Sequence, residues 1–543
     1  MDFAKTVWGA AEGQRLLLLA SMVAQIAGPL LVLIVIGDIV QADQSPDTNV
    51  TDIFLLVFGS VCVVGGAAIS TRLSSATVEG MLHEMRMRIS RQLREIEYQK
   101  LERMGPTTVY DSLTRNSAVI SEAAMVVMPA MAAAGALVVA GLYTLTISTM
   151  VFLTVGAILG TSAFFYRLSQ RSTYTQFGEA AQRETAFLER FGHLLHGFKE
   201  VSLHRPRGHD LVEDDLMPAS DAVREARTHT AVLLSRGMSI SYGFFYVMVL
   251  AIAFILPPYI QNHDVIVHAL YISFFLLSLV EIIHKSMPLI SRAEYARSEI
   301  ARIEETLEAA RREGVTSPAM TSFKEIALEA VTFDYLDSKG NALFSMGPVT
   351  FTLRRGETVF IVGGNGSGKS TLIKVLCRLY RPSSGVMRLD RQPLDDGALD
   401  RFRSLFSTVL TDFHLFGQLY GLRDRSAEEI NALLEDLEIG QKVRFEDGAF
   451  STTELSTGQR KRLAFAVALL ERRPILILDE LAADQDHEFR ERFYRRILPA
   501  LKAEGRTLVV ISHDKRFDDV ADRVIQLRSG VVVGQKNEPG ETA

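Results

Sequence analysis

Six runs of predominantly apolar residues fill the first half of this chain, and they limit its folding more than any other feature. They lie at roughly 16–40, 53–71, 122–146, 148–168, 237–258 and 265–285. Coiled as a helix, a run of about 20 residues spans the hydrocarbon core of a bilayer. Inside hydrocarbon, backbone N–H and C=O groups have no water to bond, so a spanning segment satisfies them internally by forming a helix. The expectation is an all-α six-helix transmembrane domain in a multi-pass membrane protein. Apolar residues make up 48% of the chain, and after about residue 290 they occur only in short, strand-like runs. A soluble domain should therefore follow the membrane domain.

The connections between runs set an orientation. Three are short and contain no Lys or Arg: QADQSPDTNVTD, the residues around Thr146–Ser148, and YIQNHD. Two are long and basic, one with Arg86, Arg88, Arg91 and Arg94, the other with Arg183, Arg190, Arg205 and Arg207. Positive charge stays on the cytoplasmic side, which puts the long connections and both termini in the cytoplasm. The long connections are rich in Glu, Arg, Leu, Gln and Ala, so the spans should continue as long cytoplasmic helical extensions. Gly105-Pro106 and Arg205-Pro206-Arg207-Gly208 mark their turns, and these tips are expected to touch the soluble domain. The amphipathic N-terminus, with Trp8, reads as a retained interfacial segment and not a cleaved signal.

Other classes are set aside by composition. A net charge of −6 gives no basic surface for nucleic acid. Cys62 and Cys377 are the only cysteines, so neither a disulfide framework nor a CxxC motif exists. Within the spans, Glu281 and His284 stand three apart and could pair on one helical face, mark a substrate or proton path, or simply be solvated at the interface. Phe244, Phe245, Tyr246, Tyr271, Phe274 and Phe275 could line a cavity or simply pack. Pro129 and Pro257-Pro258 are candidate kinks. The stretch 286–320 starts with Pro288, becomes highly charged, and ends in GVTSPAMTS, a domain boundary.

The chemistry is concentrated in the soluble half. An apolar strand, Thr358–Val362, leads into Gly363-Gly364-Asn365-Gly366-Ser367-Gly368-Lys369-Ser370-Thr371 and then an apolar helix. This is the P-loop in its strand–loop–helix setting: backbone N–H groups cradle phosphates, Lys369 reaches the β- and γ-phosphates, and Ser370 ligates Mg²⁺. Further on, the all-apolar strand Pro474–Leu478 ends in Asp479-Glu480. Asp479 is placed to hold Mg²⁺, and Glu480 to polarise an attacking water. Between them, Ser456 and Gly458 of LSTGQRKRL precede a helix and form a second anion-binding terminus. One nucleotide needs one cradle, so the second should close over the ATP of another chain, making the active unit a homodimer.

These motifs resemble the ATPase domain of ABC transporters over nearly all of 321–535, and the first half is similar to the six-span exporter type, with GPTTVYDSLTRN and HGFKEVSLHRPR resembling its two coupling segments. The resemblance implies that Tyr335 stacks on adenine, that Leu455–Gln459 is the signature, that His513 contacts the γ-phosphate, and that Asp486 lies in the loop linking the two sites of the dimer. Gln459 joins Ser456 and Gly458 among the implied ATP contacts. Thr457 stands where the signature usually has Gly. Thr411, followed by Asp412, stands where the family has a Mg²⁺-contacting glutamine, and the stretch from P-loop to signature looks short. LSTGQRKRLA, DELAADQD and ISHDKRF together resemble exporters of cyclic or modified peptides, including siderophore-peptide (pyoverdine-type) and microcin exporters of Gram-negative bacteria.

The expected organisation is therefore a transmembrane domain at 1–290, a linker at 291–320, and an α/β P-loop ABC ATPase domain at 321–543. The expected function is ATP-driven export of a peptide-like substrate across the bacterial inner membrane by alternating access, with ATP and Mg²⁺ as cofactors. An exporter-fold importer and a regulatory membrane ATPase that transports nothing use the same motifs.

Overall fold

The structure, a computed structural model, describes residues 2–41, 50–105, 109–110, 112–169, 173–260, 262–311, 319–336 and 341–537. Most of the connector QADQSPDTNVTD, Pro106 of the first turn, and much of GVTSPAMTS lie outside the described residues. The chain divides into two compact units, Met1–Arg94 with Met104–Ala309, and Glu95–Arg103 with Ala310–Ala543.

In the first unit, six helices are long and apolar enough to cross a membrane. The helices that carry the spans are α1 (Arg15–Gln41), α2 (Val50–Glu95), α3 (Ser117–Ile147), α4 (Thr149–Ser169), α6 (Met217–Leu250) and α7 (His263–Ala309), with α5 (Thr173–His196) between α4 and α6. The 46 residues of α2 make a rod of about 69 Å at ~1.5 Å per residue, more than twice a bilayer core. The extensions expected from the basic, breaker-poor loops are thus continuous with the spans. The Arg205–Gly208 turn is a short helix, Arg205–Asp210, capped by His204.

Packing in the membrane unit uses small residues, because lipid offers no hydrophobic drive and backbones gain by close approach. Along α3 the small side chains of Ala123, Ala133, Ala136 and Ala140 are buried, and α3 packs lengthwise on α7. Polar groups in the spans are satisfied between helices: Gln25 Nε2 donates to the Gly66 carbonyl (3.2 Å) and to Ser70 Oγ (2.9 Å). Large apolar side chains such as Phe54, Val64, Leu153 and Phe254 point outward. α3 runs unbroken through Pro129, whereas Pro257-Pro258 lie in a short 3₁₀ turn after the helix has ended.

Two readings that the sequence left open in this unit can be followed in the structure. Glu281 pairs with Lys285 (2.5 Å) one turn further on, and not with His284. The ring of His284 instead stacks on Tyr166, with centroids 4.0 Å apart. A helix puts i and i+4 on one face as readily as i and i+3, and Lys285 offers an ammonium to the carboxylate. Phe245 is buried against Tyr246 and Phe274, and Phe244 stacks on Phe165. The cavity beside them, about 20 Å³, holds no more than a water.

The second unit contains a four-stranded antiparallel sheet of order β2-β1-β4-β5, from β1 (Glu325–Leu336), β2 (Ala342–Arg354), β4 (Ser384–Leu389) and β5 (Gln392–Pro393). Its six-stranded sheet has the order β12-β11-β3-β10-β9-β6, from β3 (Thr358–Gly363), β6 (Phe406–Val409), β9 (Ile475–Asp479), β10 (Thr507–Ile511), β11 (Arg523–Arg528) and β12 (Val531–Asn537). A two-residue hairpin, β7 (Phe445–Glu446) and β8 (Ala449–Phe450), stands apart. β6, β9, β10, β3 and β11 run parallel to one another, and β12 pairs antiparallel with β11 at the edge. Helices on both faces of such a sheet require strands that are apolar at every position. ILIL of β9 and LVVI of β10 meet that requirement, with every residue buried. Leu476, Leu478, Leu508 and Val510 enter one core, while Ile475, Ile477, Val509 and Ile511 enter the other.

Candidate functional site

Register in the parallel sheet assembles the site. Ile511 of β10 lies opposite Ile361 of β3 and Asp479 of β9, and Val409 of β6 lies opposite Leu478. The carboxyl ends of four neighbouring strands therefore finish at one edge. There they release the P-loop, Thr411, Asp479-Glu480 and His513, the crevice where open α/β sheets bind ligands.

After β3 the chain turns tightly and enters α8 (Lys369–Leu376). Gly366 and Gly368 have φ of +74° and +94°, a region that residues with a Cβ avoid. The turn delivers the chain to the positive N-terminal end of α8. Lys369 is buried, and its ammonium donates to the carbonyls of Gly363 and Gly364, both at 3.1 Å. It spans the loop it would share with a phosphate chain. Ser367 Oγ is buried with no hydrogen-bond partner among the described residues.

Asp479 is buried at the end of β9 and accepts from Ser370 Oγ at 3.2 Å. Burial pushes its carboxyl above the ordinary carboxylate range, opposed by hydrogen bonds from Thr411 and Ser370. The structure thus brings Thr411 to the carboxylate expected to serve Mg²⁺, while Asp412 turns to Lys374 of α8 (3.4 Å). Lys374 also lies 3.9 Å from Glu102 and above the Tyr98 ring, residues of the Glu95–Arg103 segment that belongs to this unit.

Glu480 follows in a left-handed conformation, φ +52°, and its Oε1 lies 2.7 Å from Nε2 of His513. A carboxylate has no proton to give, so the imidazole donates. Ser456 caps α9 (Thr457–Leu470) through a capping box with Gln459: Gln459 N donates to Ser456 Oγ (3.4 Å) and Ser456 N donates to Gln459 Oε1 (3.2 Å). These two residues organise the helix start. A Cβ at Gly458 would stand 2.8 Å from the Asp484 carbonyl, so the signature glycine also lets α9 lie on the loop after β9.

Asp486 N-caps the helix α10 (His487–Arg492) by accepting from Phe489 N (2.8 Å), and it accepts from Arg462 at 2.6 Å. Tyr335 has a structural partner as well. Its hydroxyl donates to that of Tyr380 (3.1 Å), and its ring packs edge-on against Phe333 and Tyr380. Sequence reading passed over Lys461 and Arg462, the buried cations of α9 that hold the 480–486 loop. The basic run of LSTGQRKRLA is their signal, but which of its three cations turn inward depends on helix phase.

Comparison with known proteins places this geometry. The ABC transporter family profile matches residues 346–483. The ATP-binding protein SyrD of Pseudomonas syringae pv. syringae is 31% identical over 470 residues, 83% of this chain and 82% of that protein. The chain belongs to the ABC transporter family. An ATP-dependent lipid A-core flippase of Alkalilimnicola ehrlichii is 36% identical over 225 residues, 38% of this chain and 37% of the flippase. Among solved structures, a bacterial Atm1-family ABC exporter with ATP bound superposes with a TM-score of 0.77 at 17% identity, over 97% of this chain and 95% of that one. The chain has the exporter fold.

This ABC transporter is accordingly an ATP hydrolase that uses ATP with Mg²⁺, and its residues fit both. The buried, unpartnered Ser367 hydroxyl and the inward Lys369 ammonium suit a phosphate chain. Ser370, Asp479 and Thr411 present hydroxyl and carboxylate oxygens together, the hard donors Mg²⁺ prefers. ABC half-transporters of this fold work as dimers.

Proposed function

We propose that the chain is one half of a homodimeric ATP-driven exporter that carries peptide-like molecules, siderophore-peptides among them, from the cytoplasm across a bacterial inner membrane. In this reading 1–290 is the membrane domain, 291–320 the linker and 321–543 the ATPase domain, with both termini cytoplasmic. The P-loop amides of 363–371 and Lys369 hold the phosphate chain, and Tyr335 flanks the adenine. Ser370, Asp479 and Thr411 would hold Mg²⁺, whose charge offsets that of the phosphates. Glu480 draws the proton from the attacking water, and His513 keeps Oε1 of Glu480 oriented. Ser456, Gly458 and Gln459 of each copy face the nucleotide of the other, and Asp486 lies in the loop between the two sites. Closure of the two ATPase domains drives the spans from inward- to outward-open.

The observation that carries the cargo class is the set LSTGQRKRLA, DELAADQD and ISHDKRF, which resembles peptide exporters. The SyrD similarity, whose 470 residues exceed the ATPase domain and enter the membrane half, supports a whole transporter of this kind. The flippase similarity, 225 residues, is about the length of an ATPase domain and bears on the engine and not on the cargo. The test is ATP-dependent accumulation of labelled cyclic peptide in inside-out vesicles, beside labelled lipid A core. Peptide uptake with peptide-stimulated ATPase supports the reading. Uptake of the lipid alone, or peptide loss from the vesicles on ATP addition, would overturn it.

A further inference from the structure

Glu480 has a Cβ and yet sits at φ +52°, which costs free energy and persists only where its surroundings hold it there. The direction of its carboxylate depends on the peptide unit that follows. Two donors fix that unit at the Glu480 carbonyl: the amide of Ala483 at 3.2 Å and the Nζ of Lys461 at 2.8 Å. Lys461 comes from α9, the helix that opens with Ser456 and Gly458. Its side chain is 6% exposed, and the ammonium is balanced by Asp484 at 2.7 Å, whose side chain is 48% exposed. One buried cation therefore ties the start of the 480–486 loop to its middle, and both to the signature helix.

We propose that Lys461 is a positioning residue for Glu480, a strut by which the signature helix sets the direction of the carboxylate. It touches no reacting atom. Its ammonium grips the Glu480 carbonyl, holding the backbone in the left-handed region and keeping Oε1 within reach of His513. Without it, the carbonyl keeps only the Ala483 amide, and the peptide unit relaxes towards φ below zero. The carboxylate then swings from the edge of the sheet. Each end of the strut belongs to a different nucleotide site. Glu480 serves the nucleotide of its own P-loop, while α9 meets that of the second copy. A shift of α9 on closure is thereby passed within one chain to the group that activates water. The inference rests on the reading of Glu480 as the base.

The test is a double-mutant cycle on the full-length transporter in lipid, with Lys461→Met, Glu480→Gln and the pair, followed by single-turnover hydrolysis and by binding of a fluorescent ATP analogue. Lys461→Met should lower kcat by about ten- to a hundredfold, the range for a misplaced reacting group, with KM and analogue binding unchanged. Lys461→Arg, which keeps a cation, should recover most of the rate. In the Glu480→Gln background the same Lys461→Met change should cost less than about twofold, because a residue acting only through Glu480 has nothing left to position. Equal losses in both backgrounds, wild-type kcat in Lys461→Met, or analogue binding lost and not restored by Lys461→Arg would overturn the proposal. Normal turnover in Glu480→Gln alone would overturn the reading beneath it, a separate outcome.

Discussion

His513 Nε2 and Glu480 Oε1 lie 2.7 Å apart, each reaching the other from a different strand end. The bond leaves Oε2 of Glu480 as the oxygen available to a water. Glu480 is therefore placed to act on that water, and its loss can be read in turnover. Glu480→Gln keeps the shape and removes the basicity, so steady-state ATPase should fall by about 10²-fold or more while ATP remains bound. Near-normal turnover in that variant would falsify the assignment of Glu480.

Thr411, not Asp412, shares a hydrogen bond with Asp479. Thr411→Ala should therefore raise the Mg²⁺ concentration for half-maximal ATPase by about ten- to a hundredfold, the usual cost of removing a group around a metal site. Asp412→Ala should leave the Mg²⁺ titration in place. The opposite pattern would give the role to Asp412.

Composite sites call for complementation between copies. Lys369→Ala should be inactive by itself. For the signature, Thr457→Arg is a better partner than Gly458→Asp, because any side chain at 458 meets the Asp484 carbonyl of its own chain. Thr457 is exposed and outside the capping box, so its bulk blocks the face towards the second copy without disturbing α9. Purified heterodimers of the two variants keep one intact site and should recover ATPase. No recovery in verified heterodimers would count against composite sites.

Asp486 should also matter for stability. Its carboxylate lies below the ordinary range, chiefly through the Phe489 amide, with Arg462 adding to it. A depressed carboxylate gives stability that is present above its unfolded pKa and lost as the pH falls through the folded one. Asp486→Ala removes the cap, and the ATPase unit should lose about 1 kcal/mol at neutral pH. The difference from wild type should shrink in acid below the ordinary carboxylate range. Thermal melts across pH 3–8 that show a constant gap would disprove the link to ionisation.

Much of the molecule is written in short stretches of chain. Hydrocarbon leaves backbone groups one economical partner, their own helix, so six apolar runs yield six long helices whatever surrounds them. The P-loop and the apolar strand ending in Asp479-Glu480 are equally local, since each is a strand plus the turn that leaves it. What the sequence withheld depends on which side chains meet. Glu281 could turn to His284 or Lys285, and Thr411 and Asp412 differ by a single position. Only the placement of β6 beside β9 puts one near Asp479 and the other near Lys374. Gly458 and Ser456 read as anion ligands, yet both also build α9 and its seat on Asp484. Lys461 is one cation in a run of three, and burial against Glu480 gives it a role that the run does not reveal. Periodicity and backbone satisfaction act between near neighbours along the chain, and so the sequence determines them. Pairing across strands and between a helix and a loop tens of residues away is decided by packing, which exists only in the folded chain.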